Sequence, residues 1–255
     1  MRFTEAQRQL WLDQGYLVGD KFLSDAELDA VADAFLATID RLRREKRLEN
    51  VKSDDAPDAA KQVFQIRTAH LAHPLFDGLI HDARLLDAIE SLIGPNIRLV
   101  HFQGLYKPPH TGGNVDWHQD DYYFGVNKKD AVASCWLALD DATVDNGCMW
   151  VVPGAHRRMY DHQKNWDPKD KKGFFFSIKD ESFLDAGAKP IEIKRGQCLF
   201  HHGLMPHRSL GNTSSRMRRA FATHFFDATV PILRDLYQSM PPENTPVLRG
   251  AAVAA

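Results

Sequence analysis

The chain has 255 residues, of which 44% are hydrophobic and 26% charged, with a formal net charge of -2. These values are ordinary for a folded globular protein and argue against disorder, a membrane span, or a general electrostatic grip on nucleic acid or an acidic membrane surface. The length suits a single catalytic domain whose partners are small molecules. Cys135, Cys148 and Cys198 are widely spaced and odd in number, as expected of reduced thiols in the cytoplasm. The first residues are polar and helical from the outset, without the apolar core of a signal peptide. No stretch approaches the roughly 20 apolar residues of a membrane helix.

A short helix is expected after Thr4, followed by a strand over Gly15 to Leu23. Ser24 and Glu27 have the spacing of a capping box. Leu28, Val31, Phe35, Ile39 and Leu42 recur behind it at helical intervals, predicting a long amphipathic helix that ends near Arg47. Beyond a polar loop at Asp54 to Asp58, the positions Leu79, Leu86, Ile89 and Ile93 mark a second helical pattern, stopped by Gly94-Pro95. Residues 1–96 therefore read as mainly helical support bracing one face of a sheet. From Ile97 the pattern changes to short apolar runs between turn residues. It predicts antiparallel strands at Ile97 to Lys107, Val115 to His118, Ala131 to Asp140, Cys148 to Val152, Pro190 to Lys194, Cys198 to His202 and Met217 to Phe226. Segment 160–188, which carries Phe174-Phe175-Phe176, reads as a lid-like insertion, although its aromatics serve equally well simply to fasten it down.

The chemistry concentrates in Trp117-His118-Gln119-Asp120. Side chains two apart on a strand share a face, so an extended reading lets His118 and Asp120 grip one ion from one side. A second histidine would complete a facial triad, which leaves three positions of an octahedral ion open. Among His201, His202 and His207, the choice falls on His207. It precedes a turn-rich link to a strand on which Arg218, Ala220, Ala222 and His224 share one face. Pairing of the two strands would set Arg218 beside His207, where a guanidinium suits a dicarboxylate that chelates the metal at its other end.

With Leu139-Asp140-Asp141-Ala142, Asn146 to Arg157, and Arg218 eleven residues after His207, these motifs resemble the phytanoyl-CoA dioxygenase family of Fe(II)- and 2-oxoglutarate-dependent oxygenases. The resemblance covers Gly94 to Asp227. It implies a mainly β fold with N-terminal helices: a double-stranded β-helix, the cupin-like jelly roll, spanning 97–227. It further implies Fe(II) on His118, Asp120 and His207, and 2-oxoglutarate bound by Arg218 and Ser209, with Trp136, Lys107 and Gln103 as neighbours. The lysine implies a shorter loop than the family's. O2 would be the oxidant and ascorbate a candidate reductant, with succinate and CO2 released as a small metabolite is hydroxylated. Related halogenases replace the carboxylate with a small residue, so Asp120 favours hydroxylation. The alternatives are a cupin-type metalloenzyme that does not use 2-oxoglutarate and a non-catalytic ligand-binding jelly roll. No basic surface for the phosphates of coenzyme A is evident.

Tyr122, Phe124 and Trp150 are candidate substrate-pocket residues, with Tyr123 beside them. Asp121 should point away from Asp120 on a regular strand. Alternation lets only one of His201 and His202 face inward, where it would bond to ligands rather than to metal. His224 shares the inward face of Arg218, so it either packs, the preferred reading, or borders the site; His156 takes a surface or loop-fixing role or touches substrate; and the cysteines are small apolar fillers.

Overall fold

The computed structural model describes residues 1–50, 63–126, 128–165, 175–233 and 241–251. The polar loop at Asp54 to Asp58 and Phe174 lie outside them. Helix α1 (Glu5–Gln14) starts at Thr4 with a capping box to Gln7 and ends at Gly15, whose φ of 82° is left-handed. Strand β1 (Tyr16–Gly19) leads to α2 (Asp25–Arg44), capped as expected: Ser24 Oγ accepts from Glu27 N at 3.2 Å and the Glu27 carboxylate accepts from Ser24 N at 2.6 Å. The helix stops three residues short of Arg47, at a turn in which Lys46 takes a φ of 56°.

Strands β2 (Glu49–Asn50) and β3 (Phe64–Ile66) precede three helices, α3 (Ala69–Ala72), α4 (Pro74–Ile80) and α5 (Ala83–Ile93). The second helical pattern is therefore broken. Asp82 caps a fresh helix by accepting from Arg84 N at 2.8 Å, so Leu79 and Leu86 belong to different helices. The remainder comprises β4 (Ile97–Lys107), β5 (Val115–His118), α6 (Asp120–Phe124), β6 (Val132–Ala138), β7 (Met149–Val151), β8 (His162–Asn165), β9 (Phe175–Ile178), α7 (Ser182–Gly187), β10 (Lys189–Ile191), β11 (Cys198–His202), β12 (His207–Ser209), β13 (Arg218–Asp227) and β14 (Val247–Arg249).

Among the described residues the strands form two sheets that face each other, plus the β8–β9 hairpin. The larger sheet runs β1-β11-β6-β13-β4-β3-β2, with β14 also on β4; the smaller runs β10-β7-β12-β5. Each ladder is antiparallel and the arrangement is a jelly roll. Alternation gives each strand of the larger sheet two roles. Phe221 and Phe225 of β13, Phe102 and Leu99 of β4, and Phe200 of β11 join Leu28, Phe35, Leu86 and Ile89 of the helices in one buried apolar cluster. Each such side chain contributes roughly 1.5–3 kcal/mol by leaving water. Gly104 lets α2 come close, since a Cβ there would stand 2.7 Å from the Phe35 ring. The opposite face of the same strands looks into the space between the sheets. No helix among the described residues is long and apolar enough to cross a membrane.

Candidate metal centre

The smaller sheet brings His118, at the end of β5, directly opposite His207, at the start of β12. Their rings lie 4.1 Å apart. Asp120 completes the group, with Oδ1 at 3.8 Å from His118 Nε2 and 3.7 Å from His207 Nε2. One ligand atom from each of the three falls within 4.8 Å of the others. Each imidazole is oriented from behind, because His118 Nδ1 bonds the Asp116 carbonyl at 2.8 Å and His207 Nδ1 the Met205 carbonyl at 2.9 Å. A carbonyl only accepts, so Nδ1 carries the proton and Nε2 is left with its lone pair facing the cluster.

The route to this geometry differs from the extended reading of residues 117–120. The strand ends at His118, Gln119 caps, and Asp120 is the first residue of α6. Gln119 is fixed at this corner by donating to the carbonyls of Arg158 and Leu204, and the turn swings Asp120 back toward His118. Asp121 turns away and accepts from Val126 N at 3.2 Å. Burial, with the neighbouring Asp120 charge, pushes its carboxyl up to about 6. Burial also presses on Asp120, but His224 and His207 outweigh it and hold its carboxyl well below the usual carboxylate range. His118 is pushed down to about 3 by burial and by His207, so it is a neutral donor at ordinary pH.

Three residues from the larger sheet reach Asp120. Ser134 Oγ donates to Asp120 Oδ2 at 2.9 Å, His224 Nδ1 lies 3.2 Å from the same oxygen, and His201 Nε2 lies 3.8 Å from it. His224 therefore does more than pack. His201 is the inward member of its pair; His202 faces the other way, against Trp11 and His156, and bonds Asp130. His156 is buried and fixes its turn to the Leu12 carbonyl. Ser134 was absent from the sequence-based candidates. Its signal was slight: a hydroxyl in the wholly buried run Val132–Ala138.

Arg218 does not pair with the His207 strand. β12 belongs to the smaller sheet and β13 to the larger, so the arginine faces the metal cluster across the gap. Its direction follows from alternation, since it shares a face of β13 with His224, which touches Asp120. The side chain is 2% exposed, with its guanidinium 5.3 Å over the Trp136 ring. Burial pushes its pKa down to about 10, which leaves it cationic near neutrality. Nε and Nη1 find no hydrogen-bond acceptor among the described residues. Buried donors are rarely left so, and these two belong to a side chain on the face of β13 that looks into the gap. Lys107 is the cross-strand neighbour of Arg218. It is fully buried, donates to Ser209 Oγ at 2.9 Å, and also reaches the Leu210 carbonyl. Gln103 lies four residues along the same face of β4, bonded by Gln65. Arg219, on the opposite face, is committed to Asp140 at 2.7 Å.

The expected pocket residues separate. Tyr122 stacks on His162 of β8 at 3.9 Å and 15°, while Tyr123 sets its ring edge-on to His118 at 6.2 Å. Phe124 instead joins the buried cluster of Val100, Val132 and Phe226, because the helical turn of α6 rotates it inward against His224. Trp150 also lies off the pocket. It pairs with Arg208, whereas its neighbour Val151 pairs with His207, so alternation sends the indole to the outer face of the smaller sheet. There Trp117, Ile178 and Leu184 cover it, which places part of segment 160–188 as a cover on that sheet. The described part of the insertion is fastened on the other side too, since Tyr123 Oη donates to the Phe176 carbonyl and accepts from its N–H.

The profile of the phytanoyl-CoA dioxygenase family matches residues 11–220. The chain belongs to this family. Phytanoyl-CoA dioxygenase domain-containing protein 1 of Mus musculus is 30% identical over 200 residues, covering 77% of this chain and 69% of the mouse protein. The peroxisomal phytanoyl-CoA dioxygenase of Homo sapiens is 27% identical over 237 residues, covering 88% and 69%. Among solved structures, the non-heme alpha ketoglutarate dependent carbocyclase SnoK from nogalamycin biosynthesis superposes with a TM-score of 0.76 at 23% identity, covering 96% of both chains. EctD from S. alaskensis gives 0.72 at 20%, covering 94% and 82%. At these identities the likeness establishes the fold.

Proposed function

We propose that this family member is an Fe(II)- and 2-oxoglutarate-dependent oxygenase that hydroxylates a small organic metabolite and releases succinate and CO2. The observation that carries the reading is a buried Arg218 with two unsatisfied donors, on the same strand face as the His224 that touches Asp120 of the His, Asp, His cluster. The donor set fits the group: two imidazoles and one carboxylate on one side are what a non-haem Fe(II) site with open positions uses. His118, Asp120 and His207 would hold the iron, which when bound supplies the open positions at which 2-oxoglutarate and oxygen react. A related fold carries that pair, since the epimerase SnoN has been solved with Fe3+ and alpha ketoglutarate.

The chain's own residues do the rest. Asp116 and Met205 hold the two imidazoles in the tautomer that presents Nε2. Arg218 offers the distal carboxylate of 2-oxoglutarate one edge of its guanidinium, Nη2 together with either Nε or Nη1, as a two-pronged donor. Trp136 lies against the guanidinium and keeps water from it. Lys107 and Ser209 tie the two sheets beside that carboxylate, and Gln103 borders the same chamber. Tyr122 and Tyr123, backed by His162 and Phe176, form the wall next to His118 where the metabolite would lie. A cupin-type enzyme without an anionic co-substrate, or a carrier of a neutral ligand, leaves the Arg218 donors without an acceptor.

The test measures succinate formed from 2-oxoglutarate by the anaerobically iron-loaded protein across a panel of metabolites, with mass analysis for products gaining one oxygen. Turnover that depends on a metabolite and is abolished in His118→Ala supports the reading. A protein that binds iron yet forms no succinate with or without metabolites overturns it. Products that lose hydrogen without gaining oxygen would keep the cofactors and replace hydroxylation.

A further inference from the structure

Asp120 presents its two oxygens to different partners. Oδ1 faces His118 Nε2 and His207 Nε2, at 3.8 and 3.7 Å. Oδ2 turns away, accepting from Ser134 Oγ at 2.9 Å and lying 3.2 Å from His224 Nδ1, while Ser134 Oγ and His224 Nδ1 are themselves 2.8 Å apart. Counting acceptors assigns the protons. An ionised carboxylate only accepts, so the Ser134 proton goes to Oδ2 and the Ser134 oxygen can only accept from His224. His224 Nδ1 therefore carries a proton, and Oδ2 stands before two donors.

These donors sit on a rigid frame. Ser134 of β6 and His224 of β13 are directly paired across the ladder, and both are buried. His101 of β4, the cross-strand partner of His224 on its other side, stacks over it at 6.0 Å and 11°, while Phe124 packs against it at 5.2 Å. Placement on the central strands of a sheet holds a site more tightly than placement on loops.

We propose that Ser134 and His224 are positioning residues that hold Asp120 to ligation through one oxygen, keeping Oδ2 off the metal and three coordination positions open. The inference rests on the iron and 2-oxoglutarate reading above. A carboxylate binding through both oxygens, added to two imidazoles, would take four of six positions. A 2-oxoglutarate chelate anchored at Arg218 would then meet Oδ2 in the positions it needs, or bind elsewhere and leave no place for oxygen. The clamp thus fixes how many positions are free, while the triad supplies the ligands that hold the metal.

The test uses Co(II), whose visible bands report coordination number, and measures binding rather than turnover. Wild type is compared with Ser134→Ala, His224→Leu, the double variant, and His224→Asn, whose side-chain amide can return a donor near Nδ1. The expected result is Co(II) affinity within about threefold of wild type in the variants, with an altered band pattern and 2-oxoglutarate affinity weaker on the order of 10–100-fold, the range typical of groups that orient ligands. The Asn variant should recover most of that loss. If the double variant shows a wild-type spectrum and wild-type 2-oxoglutarate affinity, the clamp is wrong. It is equally wrong if metal and 2-oxoglutarate affinities collapse together without recovery in the Asn variant, since that marks a role in folding. Wild type that takes up no Co(II) overturns the functional reading as well, whereas failure in the variants alone overturns only the clamp.

Discussion

Arg218 is a cation kept dry, above an indole face, with Nε and Nη1 unmatched among the described residues. A buried charged donor that gains a carboxylate partner is worth roughly 2–5 kcal/mol, so Arg218→Ala should weaken 2-oxoglutarate binding at least about 30-fold. Co(II) affinity should change less than about threefold, because the arginine lies in the opposite sheet. Isothermal titration of each ligand separates the two, and unchanged 2-oxoglutarate affinity would move the anchor to Lys107. Arg219 is not the fallback, being held by Asp140. At this scale the sequence was informative where a residue type and a spacing together imply chemistry, as for His118, Asp120, His207 and Arg218. Ser134 and His201 were harder to see, because their roles depend on which strands lie opposite which. Nothing local to Val132–Ala138 says that its one hydroxyl will meet a carboxylate from α6.

The elements were legible where pattern dictates them, as with the capping box of α2 and the runs that became β4, β5 and β11. The helix at Asp120–Phe124 was not, because a five-residue turn after a strand has no periodicity to read, and it moved Phe124 from pocket to core. Segment 160–188 shows a different dependence. Helix α7, six residues long, is too short to stand alone. It is held by Leu184, which is fully buried, and by Asp185, whose Oδ1 accepts from Trp117 Nε1 at 2.9 Å and from Arg208 Nη1 at 2.7 Å. Trp117 and Arg208 directly adjoin His118 and His207, so this carboxylate clasps the backs of both histidine strands. The pair with Arg208 is partly exposed and contributes little alone. Loss of the charged acceptor from the buried indole raises the total to about 2 kcal/mol. Asp185→Ala should accordingly increase amide hydrogen exchange across residues 175–188 by roughly 30-fold while the strands of the larger sheet keep their protection. Equal protection in the two proteins would show that apolar contacts alone hold the segment.

For the whole molecule, closing a jelly roll over this cluster buries several imidazoles where protonation is resisted. Burial pushes His101, His118 and His201 down to about 3, helped by neighbouring histidines. In the unfolded chain each returns to about 6.5. The sign follows from which state takes up protons. Below pH 6.5 the unfolded chain binds protons that the folded chain refuses, so stability is complete above that pH and is lost as it falls toward 3. Each group costs about 1.4 kcal/mol by pH 5.5. Asp121 acts in the opposite sense: its carboxyl, raised to about 6, prefers the folded state once protonated, and it returns roughly 1 kcal/mol over the same interval. The metal-free protein should therefore lose about 3 kcal/mol between pH 7.5 and pH 5.5, a fall in Tm of roughly 6–12 °C for a chain of this size. Saturating Co(II) at pH 7.5 should raise Tm, because it binds only the folded cluster. Scanning calorimetry of the metal-free protein at the two pH values decides the first part. A Tm that is flat or rises on acidification would mean that the imidazoles are already protonated in the fold, and that the cluster is held together by their charge on Asp120 rather than in spite of it.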